Sequence, residues 1–211
     1  MNEGTIAILF QWSLLCLVWM GSFDSQLREW RMSRRRMLAV IAAFLVCSFV
    51  SWKFYFAPIQ VSLSGTILPL LGSVALYTRL GKERRRIHLV GAMATAVLLV
   101  WLRWIFFKDP ILLFWEERVI IPAVGVVATL IMSRQSRAQL FQLLFALTLA
   151  DILHSLYFWK LSGSCMFGTD YAQDLLWSGI SFMCVIRLIW SMIRRVLGWR
   201  EPESSHSDAG R

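Results

Sequence analysis

Charge is scarce in this chain. Only 17% of its 211 residues are Asp, Glu, Lys or Arg, where soluble domains carry about a quarter. Histidine is scarcer still: of three, His88 stands at a helix start and His206 in the tail, which leaves His154 alone and a metal site short of ligands. The four cysteines, Cys16, Cys47, Cys165 and Cys184, form no C-x-x-C pair, which excludes a zinc ribbon or a dithiol redox motif. Three of them lie inside apolar runs and read as small packing residues. Cys165 falls in a polar loop and reads as the accessible thiol. No H-E-x-x-H, G-x-S-x-G or Walker A pattern occurs, so the common hydrolase and nucleotide-binding templates are absent. No cofactor site is expected, and the chain leans away from an enzyme without excluding one.

Long apolar runs are what the chain does have. Hydrophobic residues make up 57% and tryptophan occurs 11 times; mean hydropathy is +0.58. A bilayer core about 30 Å thick needs roughly 20 apolar residues per helical crossing. Seven such segments are predicted, over residues 5–23, 37–56, 61–80, 87–107, 111–132, 138–159 and 171–197. The fold class expected is therefore all-α, a polytopic transmembrane bundle of seven helices forming one domain over residues 1–200. Residues 201–211 hold alanine as their sole apolar residue and are expected to be a disordered tail.

Net charge is +9, yet nucleic acid is not an expected partner. The arginines sit in short clusters between apolar segments, the pattern of orientation signals. Loops one, three and five and the C-terminal tail together hold sixteen Lys and Arg; loops two, four and six hold four. That asymmetry places the odd loops and the C-terminus in the cytoplasm and the N-terminus outside. The first segment agrees independently. Only Glu3 precedes it and five arginines follow, the reverse of a cleaved secretory signal. In segment three Pro69 predicts a kink. In segment four Gly91/Thr95 and Ala92/Ala96 predict close helix approach.

A few residues break the apolar pattern. Segment six carries Thr148, Asp151, His154 and Ser155 within about 120° of one helical face. Segment seven carries Asp174, Ser178 and Ser181, and segment five begins with Glu116, Glu117 and Arg118 five to seven residues inside its predicted start. Under the expected topology all of these fall in the outer half of the membrane. Ionisable groups there cost roughly 2.5–3.5 kcal/mol each on insertion, so they turn inward and pair.

The candidate site is thus an outward-facing polar pocket of Glu116, Glu117, Arg118, Asp151, His154 and Asp174. Its expected pairs are Asp151–His154, which could carry protons, and Glu116/Glu117–Arg118. The alternative reading is structural: an interhelical clasp, with the Glu-Glu-Arg run at the headgroups. Arg187 is expected to snorkel toward the cytoplasm. The glutamate pair superficially resembles that of CAAX-type intramembrane proteases. Their pattern is Glu-Glu-x-x-x-Arg, and here Ile121 stands in the arginine's place, with no downstream histidine motif.

The short start Met1-Asn2-Glu3-Gly4 before Phe10-Gln11-Trp12, the arginine-rich first loop, and the acidic sixth segment followed by Gly163 and Tyr171/Asp174 together give a layout. That layout resembles the YphA-like membrane proteins of Bacillus-type bacteria. The resemblance implies a bacterial cytoplasmic membrane as location and transfers no activity. Three function classes stand. A structural or interaction protein, with the lipid bilayer and a membrane-protein partner or second copy as its surroundings, leads by default. A small transporter or proton-coupled permease using the pocket comes next, its small-molecule or ion substrate unspecified, weakened by the lack of an internal repeat. An intramembrane enzyme comes last.

Overall fold

In a bilayer every backbone N–H and C=O must find a partner within the chain, so apolar runs of this length close into helices. The computed structural model describes residues 3–24, 27, 32–50, 52–56, 59–81, 84–109, 116–163 and 165–196. Among them run seven α-helices: α1 Thr5–Trp19, α2 Arg34–Val50, α3 Leu68–Thr78, α4 Arg85–Lys108, α5 Glu117–Met132, α6 Ser136–Ser162 and α7 Asp170–Val196. Arg85–Lys108, Ser136–Trp159 and Asp170–Trp190 are long and apolar enough to cross a membrane, and Thr5–Trp19 and Leu63–Thr78 are shorter apolar helices.

The chain is helical almost throughout, as expected, with one small addition. Three strands, β1 Lys53–Phe56, β2 Ile59–Ser62 and β3 Cys165–Phe167, form one small sheet. β1 pairs antiparallel with β2, and β2 parallel with β3. The helix expected over 37–56 ends at Val50, and its aromatic end, Phe54 and Tyr55, lies in the first strand. Aromatic and β-branched residues suit strands, and the β1–β2 ladder supplies the backbone bonds that a continued helix would have made.

The segment expected over 61–80 is also divided. Its first two residues complete β2, a π-turn follows at Leu63–Ile67, and the α-helix begins at Leu68. Pro69 therefore stands at the helix start, where a missing N–H removes no bond, instead of kinking a helix midway. α5 starts at Glu117, so its charges occupy the first turn and are not embedded one to two turns along. Residues 111–115, where the earlier start was expected, and the 201–211 tail lie outside the described residues.

Burial departs from the soluble pattern on the surface, which is largely apolar, and in the number of polar groups held inside. Ile131 and Val97 expose 80% and 62% of their surface, whereas Gln11, Ser73, Thr129 and Asp174 are fully buried. Apolar surface outward and polar groups inward is the distribution a lipid solvent selects. The most extensive helix packing is α4 on α6. It is made possible by the buried small residues Gly91, Ala92, Thr95 and Ala96, as their spacing predicts. α5, α6 and α7 pack mutually, and α7 also packs on α1. Leu99, Ile121, Leu143 and Met183 fill the centre, and Phe44 meets Trp177 edge-on at 5.3 Å.

The bundle has two chemically distinct ends. At the hairpin end lie the start of α1, the sheet, the end of α4 with the start of α5, and the end of α6 with the start of α7. Aromatic residues ring this end: Lys108 sits 4.0 Å over Trp104, and Phe107 contacts Phe158. At the basic end arginines close helix C-termini, where orphan carbonyls favour cations. Arg34 Nε donates to Val18 O (2.9 Å). Arg85 donates to Leu80 O (2.8 Å) and to Thr78 O. Between α1, α2, α3, α6 and α7, toward this basic end, lies an apolar cavity of about 460 Å³.

Candidate functional site

The off-pattern residues converge at the hairpin end. α7 brings Asp174 against the first turn of α1, whose leading N–H groups have no intrahelical acceptor. Gly4 N–H donates to Asp174 Oδ2 (3.0 Å) and Ala7 N–H to Oδ1 (2.8 Å). Asp174 thus caps a helix that is not its own, and its negative charge sits where the α1 dipole favours it. Arg118, one residue into α5, reaches the same carboxylate at 3.5 Å.

A second ion pair lies alongside. Arg103, buried near the end of α4, places Nε 3.1 Å from Glu117 Oε1 and Nη1 3.8 Å from Asp151 Oδ1. Asp151 Oδ2 accepts the Gly168 N–H at 2.9 Å. One helical turn on, Ser155 donates to Met166 O (2.9 Å). The polar stripe of α6 is therefore the dock for β3 and the turn after it. Tyr171 stands between the two pairs: the guanidinium carbons of Arg103 and Arg118 each lie 5.4 Å from its ring centre, within cation–π range.

The fit at this dock is backbone on backbone. A Cβ added to Gly65 would lie 2.2 Å from Gly168 O, and one on Gly168 would lie 2.3 Å from Thr66 Oγ1. Gly168 also has φ +68, a left-handed conformation that costs any other residue. Two glycines let the π-turn and the β3 loop touch, and that contact aims the Gly168 N–H at Asp151.

Four of the six sequence candidates, Glu117, Arg118, Asp151 and Asp174, come together here. Their pairing differs from the one expected. Asp151 pairs with Arg103, not His154; the His154 ring, half-buried, packs on Phe158 at 4.6 Å. Glu117 also takes Arg103 instead of its neighbour Arg118. Adjacent helical residues diverge by about 100°, so Glu117 and Arg118 cannot face each other. Glu116 is exposed and forms no ion pair among the described residues.

Arg103, outside the six candidates, is the cation that joins Glu117 and Asp151. It continues the stripe Ala92, Thr95, Ala96, Leu99 at three- and four-residue steps, so its inward direction was legible from spacing alone. Arg187, partly buried, donates to Ser136 Oγ (2.5 Å) and to Gln139 Oε1 in the first turn of α6, so it reaches toward the basic end. One expectation is corrected by burial. Cys165, read as accessible, is fully buried in β3. Burial, and after it the nearby Asp151 carboxylate, raise its thiol pKa, since both disfavour a thiolate. A polar relay missed entirely joins α1, α2 and α7: Gln11 donates to Ser48 Oγ (3.3 Å), and Ser48 to Gln173 Oε1 (3.0 Å).

Chemically, this cluster offers ion pairs and helix caps. No group of three or more His, Cys, Asp or Glu able to hold a metal exists among the described residues. A protein-family profile described as YphA-like integral membrane protein matches residues 3–206. No curated protein and no solved structure matches the chain. The chain belongs to the YphA-like integral membrane protein family.

Proposed function

We propose that this YphA-like protein is a seven-helix bundle of the bacterial cytoplasmic membrane, N-terminus outside and C-terminus inside. In this reading it serves a structural or interaction role there and is not an enzyme. One observation carries the functional half: each buried carboxylate of the charged cluster already has internal partners. Asp174 holds two backbone N–H groups and Arg118, and Asp151 holds Gly168 and Arg103. A proton-coupled permease needs a carboxylate that alternates between partners and an aqueous path. Here the carboxylates tie α1, α4, α5, α6, α7 and β3 into one rigid end.

The topological half is supported by which elements meet. The start of α1, the sheet strands of loops two and six, and the facing ends of α4 and α5 share one end, as strict alternation requires. Arg34 after α1, Arg85 after α3 and the start of α6 share the other. α1, α2 and α5 are 15, 17 and 16 residues long, about 22–26 Å at 1.5 Å per residue. They fit a bilayer whose hydrocarbon is locally thinned or whose flanking arginines snorkel.

Two measurements test the proposal. A fluorescent protein fused after residue 211 should be bright and alkaline phosphatase at the same point inactive; the reverse pattern refutes the orientation. In sealed vesicles, a pH-gradient-driven flux that wild type shows and Asp151→Asn abolishes would overturn the structural role in favour of the permease.

A further inference from the structure

The apolar cavity at the basic end is unconnected with the charged cluster, and its chemistry has a definite complement. Leu14 and Val18 of α1, Ile41 and Phe44 of α2, and Leu144 and Trp177 of α6 and α7 form its apolar wall. Its two charged lining residues are Arg36, in the first turn of α2, and Arg79, just past the end of α3. Both are exposed, and neither pairs with a carboxylate among the described residues. Gly72 also lines it, and a Cβ there would meet no atom within 4 Å. The space is open where α3 passes.

We propose that this cavity holds an acyl chain of an anionic phospholipid, with the headgroup phosphate held by Arg36 and Arg79. A volume of about 460 Å³ falls within the roughly 300–1,000 Å³ of small-molecule sites. In a membrane protein the material at such an opening is lipid. Basic pockets between helices select anionic headgroups, each arginine contributing about a fivefold preference, the factor equivalent to roughly 1 kcal/mol. A free anion would meet only the two arginines and leave the apolar wall empty. A second copy seated here would bring its own Arg36 and Arg79 against the same pair of like charges. The inference rests on membrane embedding alone and stands or falls apart from the structural role of the charged cluster.

The test uses the purified full chain in detergent, incubated with equal amounts of phosphatidylglycerol and phosphatidylcholine of matched acyl chains. Retained lipid is read by native mass spectrometry. Wild type should retain phosphatidylglycerol several-fold over phosphatidylcholine. Arg36→Gln with Arg79→Gln, both on exposed side chains, should bring the ratio close to one. Gly72→Leu should lower retention of both lipids, with Ala75→Leu in its place if the first variant loses its far-ultraviolet helix signal. Millimolar inorganic phosphate should displace neither lipid. Equal retention by wild type, a preference that survives removal of both arginines, or lipid release by phosphate would each overturn the proposal. So would a lipid-free dimer as the stable species.

Discussion

Replacing Asp174 by alanine should unfasten α1 from α7. The carboxylate is fully buried and receives Gly4 N–H at 3.0 Å, Ala7 N–H at 2.8 Å and Arg118 at 3.5 Å. Its loss orphans two N–H groups of the α1 first turn and leaves Arg118, 16% exposed, without a counter-ion. Removing one member of a buried pair costs about 3–5 kcal/mol in soluble proteins. A generic hydrogen bond between membrane helices contributes only about 0.6 kcal/mol. These two figures bracket the outcome and separate the readings. At about 2–4 °C per kcal/mol for a chain of this size, a clasp predicts a fall in Tm of roughly 6–20 °C, and a generic contact about 1–3 °C. Partial exposure of Arg118 moves the expectation toward 6 °C.

The assay is thermal unfolding of the detergent-solubilised protein, followed by a dye that fluoresces on reacting with newly exposed thiols; buried Cys165 and Cys184 supply them. Asp174→Asn retains one carbonyl acceptor and should fall between wild type and alanine. In a double-mutant cycle Arg118→Ala should cost less in the Asp174→Ala background than alone. A Tm within about 2 °C of wild type for Asp174→Ala, or strict additivity with Arg118→Ala, would refute the clasp.

Three other outcomes follow from the same contacts. Arg103→Leu removes the counter-ion shared by Glu117 and Asp151 and should lower Tm by a similar margin, with partial recovery in Arg103→Leu/Asp151→Leu; a neutral single variant contradicts this. Gly65→Ala sets a Cβ 2.2 Å from Gly168 O and should cost about 1–3 kcal/mol as overpacking. Gly72→Ala, facing open space, should raise stability by up to about 1 kcal/mol through helix propensity; thermal scans that rank the two alike would sink the packing argument. The Cys165 thiol titrates above its ordinary 9.0, so the folded state holds that proton more tightly than the unfolded chain. Its contribution to stability is complete below pH 9 and is lost as pH rises through the higher folded value. Iodoacetamide should modify the Cys165 peptide at pH 8 far more slowly in the folded protein than after unfolding in dodecyl sulfate, and equal rates would contradict its burial.

Much of this molecule was legible in its residues. Hydropathy and length set the helices, because the cost of an unbonded backbone in lipid is local and large. The stripe of Gly91, Ala92, Thr95 and Ala96 announced a close helix contact, and Asp151 and Asp174 announced inward polar faces. The family resemblance read from the layout agrees with the profile match over residues 3–206.

Tertiary structure alone decided who meets whom. Periodicity tells which way a side chain points and not what stands opposite. Asp151 and His154 shared a face, yet the helix opposite supplied Arg103 and the loop beyond supplied Gly168 N–H, leaving His154 to Phe158. The sheet depended on strands from two distant connections meeting at one end, and with it came the burial of Cys165. The cavity depended on five helices failing to close around Gly72. Each of these is a non-local coincidence of surfaces. Composition and spacing constrain one segment at a time and are silent on such coincidences.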